Sequence, residues 1–514
     1  MRPTRTCAQR LAIPRRAIQR LGMLLAVFAT IPVAPASADT AASDAPAKRM
    51  NVLFIIADDL TSTALSCYGN SVCQTPNIDA LADRGTRFTR AYCQATYCGP
   101  SRASFMSGYY PHATGVLGYT NPRPQIGDRP MWSQHFKNHG YFAARVSKIF
   151  HMGVPGGIET GGDGRDHDGG NGADDELSWT ERYNSPGPEW KAAGDGETLE
   201  GNPDGTRPVV GGNTFVVVEA DGDDEVHSDG KTAAKACQLL REHGDDPFWL
   251  GVGFVRPHVP FVAPRPYFSD FKPFDDLSLP DRVANDWDDI PKAGINYKTS
   301  RNMKMDLRRQ RKAMGGYYAS VAFMDAQVGK VLATLRSEGL EDNTIVIFTS
   351  DHGYHLGEHD FWAKVSLREE SASVPLIVRV PGKQPAVCNS FVELLDLYPS
   401  ISKLCGLPVP DHLQGKQIGS LLDDPDAKVR DVAFSVAPMR KGFLLRDDDW
   451  AYIQYGEDGA KGAELFDMHA DPKQFTNLID SPEHQQVAER FRRLLAVKLQ
   501  QVRDNDLDLS TIRR

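Results

Sequence analysis

The sequence predicts an α/β protein: a large, mostly parallel sheet flanked by helices, with a smaller α+β subdomain at its C-terminal end. Three observations predict it. Continuous β-branched and apolar runs at 51–57, 248–254, 344–349 and 376–380 have the pattern of strands buried on both faces. Helical stretches such as 313–335 separate them, and strands alternating with helices build parallel, helix-covered sheets. From about residue 427 the pattern changes to short strands at 432–436, 442–445 and 450–455, followed by a polar helix at 482–503.

The elements follow in chain order. Residues 1–38 carry six arginines and no acid, then the apolar run 21–34, then Ala36-Ser37-Ala38. A basic start, a short apolar stretch and a small-residue cleavage site describe a secretory signal peptide, so the chain is expected to be exported, to the periplasm or beyond. The run is short for a membrane span, and Pro32 and Pro35 break a continuing helix. Residues 39–50 read as a linker and 51–426 as the catalytic domain.

The 51–57 strand ends directly in Asp58-Asp59. Thr75-Pro76 reads as a capped helix start with proline at the first helical position. A strand-like stretch at 141–148 leads into Lys148-Ile149-Phe150-His151. Residues 152–230 are rich in Gly, Asp, Asn and Pro, with Gly156-Gly157, Gly161-Gly162, Gly169-Gly170 and Gly211-Gly212, and read as a long surface insertion. Its acids, such as Asp163, Asp166, Asp168, Asp174 and Asp175, read as those of a solvated loop; the alternative is that they repel highly sulfated polymers and favour chain ends. The 248–254 strand leads into Arg256-Pro257-His258-Val259-Pro260, and the 344–349 strand into Ser350-Asp351-His352, with Lys364 beyond. Residues 427–514 form the C-terminal subdomain.

Composition excludes several classes. With 514 residues, 41% apolar and 24% charged, the chain is neither disordered nor fibrous. Fifty-eight basic against 67 acidic residues give a net charge of −9, which argues against a nucleic-acid partner. Loss of the leader and its six arginines leaves 52 against 67, a net charge of −15. It also removes Cys7 from the eight cysteines, leaving seven.

Cys98-Gly99-Pro100-Ser101-Arg102 is the sharpest motif. It resembles the C-x-P-S-R signature of the sulfatase family, whose cysteine a separate formylglycine-generating enzyme oxidises to a catalytic aldehyde. The hydrated aldehyde offers two hydroxyls on one carbon: one attacks sulfur and displaces the alcohol, the other expels sulfate by re-forming the aldehyde. A helix opening at Ser101 would lend its dipole to the nucleophile. A thiol in an ordinary turn is the alternative for the motif alone.

The other members of the family's set occur in the family's order. The resemblance implies a bound divalent cation, calcium, held by Asp58, Asp59, Asp351, His352 and the group derived from Cys98, in keeping with hard, oxygen-rich ligation. Each acid alone would equally suit a turn or a helix cap. Many relatives carry Asn where this chain has His352; the histidine, the Lys148-x-x-His151 spacing and the Arg256–His258 segment match the branch that includes iduronate-2-sulfatase. The resemblance further implies that Arg102 fixes the hydrate and a metal ligand, that Lys148 and Lys364 clamp the sulfate, that His151 is the base and that His258 protonates the leaving alcohol.

The likeness spans about residues 51–478 and implies an alkaline-phosphatase-like sheet acting on a sulfated saccharide, with no membrane span. A phosphate or phosphonate ester hydrolase of the same superfamily is the second reading, and a sulfated-glycan binder without turnover the third. Every expected catalytic position is filled, which disfavours the third. Setting Cys98 aside leaves Cys67, Cys73, Cys93, Cys237, Cys388 and Cys405, enough for three disulfides whose pairing stays open.

Overall fold

The computed structural model describes residues 49–157, 171–201 and 214–508. The leader, nearly all of the linker, Gly161-Gly162, Gly169-Gly170, Gly211-Gly212, Asp163, Asp166 and Asp168 lie outside the described residues. Among the described residues the main sheet has nine strands. Eight of them follow the order Ala386–Cys388, Thr86–Tyr92, Ser373–Arg379, Thr344–Ser350, Asn51–Asp58, Phe248–Pro257, Phe142–Ser147, Glu181–Tyr183, and Val392–Glu393 also pairs with Thr86–Tyr92. All run parallel except Ser373–Arg379, which is antiparallel to both neighbours.

The continuous apolar pattern of Asn51–Asp58 has its reason in the two cores the sheet separates. Leu53, Ile55 and Ala57 face one, with Leu240 and Tyr317, against helices Ser228–Glu242 and Leu307–Ser337. Val52, Phe54 and Ile56 face the other, with Phe105, Trp132 and Leu397. Neither face meets water, so no alternation is required. The 31-residue helix Leu307–Ser337 starts on a side-chain cap, the Asp306 carboxylate accepting from the Arg309 N–H at 2.8 Å. Helix Pro76–Ala82 begins with proline as expected, but the Thr75 hydroxyl does not cap it: it accepts from the Ser66 N–H and donates to Asp79.

Residues 152–230 contain structure that the glycines hid. Glu181–Tyr183 extends the main sheet, while Gly194–Thr198 and Val216–Ala220 pair antiparallel and join Phe261–Pro264 in a three-stranded sheet. Asp174 and Asp175 are not solvated acids. Asp174 pairs with buried Arg145 at 2.7 Å and Asp175 with Arg123 at 2.7 Å. The C-terminal part is a four-stranded antiparallel sheet, Ala433–Ala437, Gly442–Arg446, Trp450–Tyr455 and Ala463–Asp467, with helix Gln485–Arg503 burying Phe491, Leu495 and Leu499. Its first strand is tied to the catalytic part just ahead of Cys98: the Thr96 N–H donates to the Val436 carbonyl and the Val436 N–H to the Gln94 carbonyl.

All seven described cysteines are free thiols, so none of the three allowed disulfides forms among the described residues. No described helix is long and apolar enough to cross a membrane.

Candidate active site

Four neighbouring parallel strands end at one edge of the sheet. Thr344–Ser350 delivers Asp351-His352, Asn51–Asp58 delivers Asp58-Asp59, Phe248–Pro257 delivers His258, and Phe142–Ser147 delivers Lys148 and then His151. Thr86–Tyr92 runs the same way and leads to Cys98, the first residue of helix Cys98–Ser107. The carboxyl edge of a parallel sheet is where such folds bind ligands. The helix starts three residues earlier than expected, because Pro100 in a first turn forgoes only an N–H with no helical partner. Cys98 thus sits at the helix N-terminus.

Arg102 organises the floor. Its Nε donates to Asp351 Oδ2 at 2.8 Å, a terminal nitrogen lies 3.4 Å from Asp58 Oδ1, and the other donates to the carbonyls of Lys148 and Ile149. One planar side chain so joins three strand ends, which a lysine could not do. Lys148 Nζ pairs with Asp58 Oδ2. Lys364 Nζ lies 2.6 and 2.9 Å from the two oxygens of Asp59 and 3.2 Å from Cys98 Sγ.

His352 Nδ1 faces the Gly353 carbonyl at 2.9 Å, which can only accept, so the neutral ring carries its proton there. Nε2 is left with a lone pair, 3.1 Å from Cys98 Sγ and 3.3 Å from Asp59 Oδ1. His258 has the same arrangement: Nδ1 faces the Val259 carbonyl at 2.5 Å and Nε2 lies 3.7 Å from Asp59 Oδ2.

Asp58, Asp59, Cys98 and His352 each offer a ligand atom within 4.8 Å of the others, all buried. Two carboxylates beside an imidazole lone pair are a donor set that fits a divalent cation. Asp351 stands beside this group. Its Oδ1 accepts from the Asp59 and His352 N–H groups at 3.2 and 3.0 Å, and Oδ2 from Arg102.

Burial alone would raise the Asp58 carboxyl, yet Lys148, Arg102 and Lys364 hold it well below its usual range. Asp59 is raised by burial, with Asp58 and Asp351 adding to it against Lys364. The Cys98 thiol is pushed well up, by burial first and then by Asp58, Asp351 and Asp59 against Lys364. His151 and His258 are both held neutral, by burial first and then by Lys148 and Lys364 respectively. Three cations therefore face three acids in the bare site, and a dication would leave a surplus of positive charge for an anionic substrate.

The backbone is strained around these groups. Asp59 (φ 64°), Ser147 (φ 63°), Ala363 (φ 65°) and Val365 (φ 80°) are non-glycine residues in the left-handed region. Each costs on the order of 1–3 kcal/mol, and together they bracket Asp58, Lys148 and Lys364. Two further supports, Asp229 and Glu189, had no signal in the sequence. The Asp229 carboxylate accepts from the Val255 and Arg256 N–H groups at 2.8 and 2.9 Å, and Arg256 pairs with Glu189 while donating to the carbonyls of His258 and Pro260. All the residues expected at the site, from Asp58 to Lys364, border this one edge of the sheet.

The family model for sulfatases matches residues 50–407, and the model for the N-sulphoglucosamine sulphohydrolase C-terminal region matches residues 357–503. The chain belongs to the sulfatase family and is a sulfate ester hydrolase. Iduronate 2-sulfatase of Mus musculus is 32% identical over 407 residues, which are 70% of this chain and 69% of that protein. A sulfatase of Formosa agariphila is 29% identical over 461 residues, covering 87% of this chain and 86% of its own. The solved phosphonate monoester hydrolase of Agrobacterium radiobacter shares the fold, with a TM-score of 0.69 at 21% identity over 88% of this chain and 96% of that one.

Proposed function

We propose that this chain is an exported carbohydrate sulfatase of the iduronate-2-sulfatase type, acting through formylglycine made from Cys98 by a formylglycine-generating enzyme. One observation carries the reading: Lys364, Asp59 and His352 converge on the buried Cys98 Sγ at 3.2, 3.8 and 3.1 Å, at the N-terminus of helix Cys98–Ser107, and burial with the neighbouring acids pushes the thiol's pKa well up. A thiol nucleophile needs a lowered pKa. This site raises it, as suits a precursor whose sulfur stands where an aldehyde oxygen would act.

Asp58, Asp59, Asp351 and His352, with the oxygen derived from Cys98, would hold one Ca²⁺. A bound calcium ion would polarise the sulfate oxygens and the nucleophilic hydroxyl. Lys148 and Lys364 would neutralise the charge that builds on the sulfate, and Arg102 would keep the carboxylates in place. Neutral His151 would take the proton of the second hydroxyl as sulfate leaves. His258, its Nδ1 proton tied to Val259, would pass a proton from Nε2 to the leaving alcohol, after the bound sulfate's charge has raised its proton affinity.

The saccharide substrate class is supported by relatives that include an N-acetylglucosamine-6-O-sulfatase of Bacteroides thetaiotaomicron and iduronate 2-sulfatase. A panel of sulfated mono- and oligosaccharides, with an aryl sulfate and an aryl phosphonate alongside, tests it. Turnover of a sulfated sugar supports the reading. Faster cleavage of the phosphonate than of any sulfate would overturn it in favour of a phosphonate hydrolase.

A further inference from the structure

The side chain of Tyr119 has no part in the proposed hydrolysis, yet it joins two groups that do. Its ring lies face to face on His151, with centroids 3.7 Å apart and planes 7° from parallel. No described residue hydrogen-bonds the buried Nδ1 of His151. Tyr119 also abuts the first turn of the Cys98 helix. A Cβ on Gly99 would lie 2.4 Å from the Gly118 carbonyl oxygen and 2.9 Å from Tyr119 Cδ1. Tyr97, whose carbonyl accepts the Ser101 N–H of that turn, stacks on Tyr119 at 4.7 Å.

We infer that Tyr119 is a positioning residue of the hydrolysis, its ring setting the plane of the His151 imidazole and its distance from the helix that carries Cys98. The inference rests on the base role proposed for His151. Stacking suits this role, because the planar contact restricts tilt of the ring and leaves the ring edge open to receive a proton. The phenol hydroxyl is not required, so phenylalanine should serve as well.

The test compares wild type, Tyr119→Phe and Tyr119→Leu, each produced with the formylglycine-generating enzyme. Tyr119→Leu should lower kcat on an aryl sulfate on the order of ten- to a hundred-fold with KM within about two-fold, and Tyr119→Phe should restore it. In histidine-labelled protein the His151 ring protons should show an upfield ring-current shift that Leu removes and Phe keeps. Unchanged kcat in Tyr119→Leu, a rise in KM alone, or failure of Phe to rescue would each overturn the inference. A wild type that turns over no sulfate ester would defeat the proposed function instead, and a missing ring-current shift would still defeat the placement of Tyr119.

Discussion

Lys364 and Asp59 form a two-pronged ion pair, the ammonium nitrogen 2.6 and 2.9 Å from the two carboxylate oxygens and also 3.2 Å from Cys98 Sγ. Both side chains are essentially sealed from water. Removing one partner strands the other as a buried charge, which costs about 3–5 kcal/mol, whereas replacing both by neutral groups is far cheaper. Lys364→Met should therefore lower stability by about that amount and abolish turnover. Lys364→Met with Asp59→Asn should recover most of the stability and none of the activity. Denaturant unfolding of the three proteins checks this; equal loss in the single and double variants would contradict the pairing.

Arg102 binds two carboxylates and two carbonyls at once. Arg102→Lys keeps the charge and loses the fork. It should destabilise the fold by about 3 kcal/mol or more and lower kcat at least about a hundred-fold. A variant within two-fold of wild type in kcat would show that the fork is dispensable.

Cation binding should appear as stability. Calcium at a hundred-fold excess over its Kd should add about 2.7 kcal/mol, lost on chelation and regained on readdition. Asp58→Asn should abolish the response. A melting temperature indifferent to chelator and to calcium would count against the site.

Acid should loosen the chain through histidines remote from the chemistry. Burial holds His112, His135 and His412 at about 4, below the ordinary 6.5. A depressed imidazole contributes stability that is fully present above pH 6.5 and is lost as pH falls toward 4, at most about 3 kcal/mol for His112. The melting temperature should fall across that window, and His112→Gln should flatten the slope. A slope unchanged in the variant would refute the assignment.

The strand ends that carry the site were legible because an apolar run that stops abruptly at acids or histidines is a local pattern. The direction of Ser373–Arg379 was not, since an apolar run reads the same whichever way the strand lies. Gly194–Thr198 and Val216–Ala220 were missed because their pairing depends on each other and on distant Phe261–Pro264, while their surroundings read as loop. The identity of the site residues came from motif order; their mutual distances did not. Lys364 meets Asp59 across 305 positions of chain, and nothing near either residue announces the other.

In the proposed chemistry Cys98 is a precursor and not the nucleophile itself. Peptide mass spectrometry of active protein from its native host tests this most directly. An aldehyde at Cys98 is expected, with turnover lost in Cys98→Ala. An alkylatable thiol at Cys98 in fully active protein would contradict it.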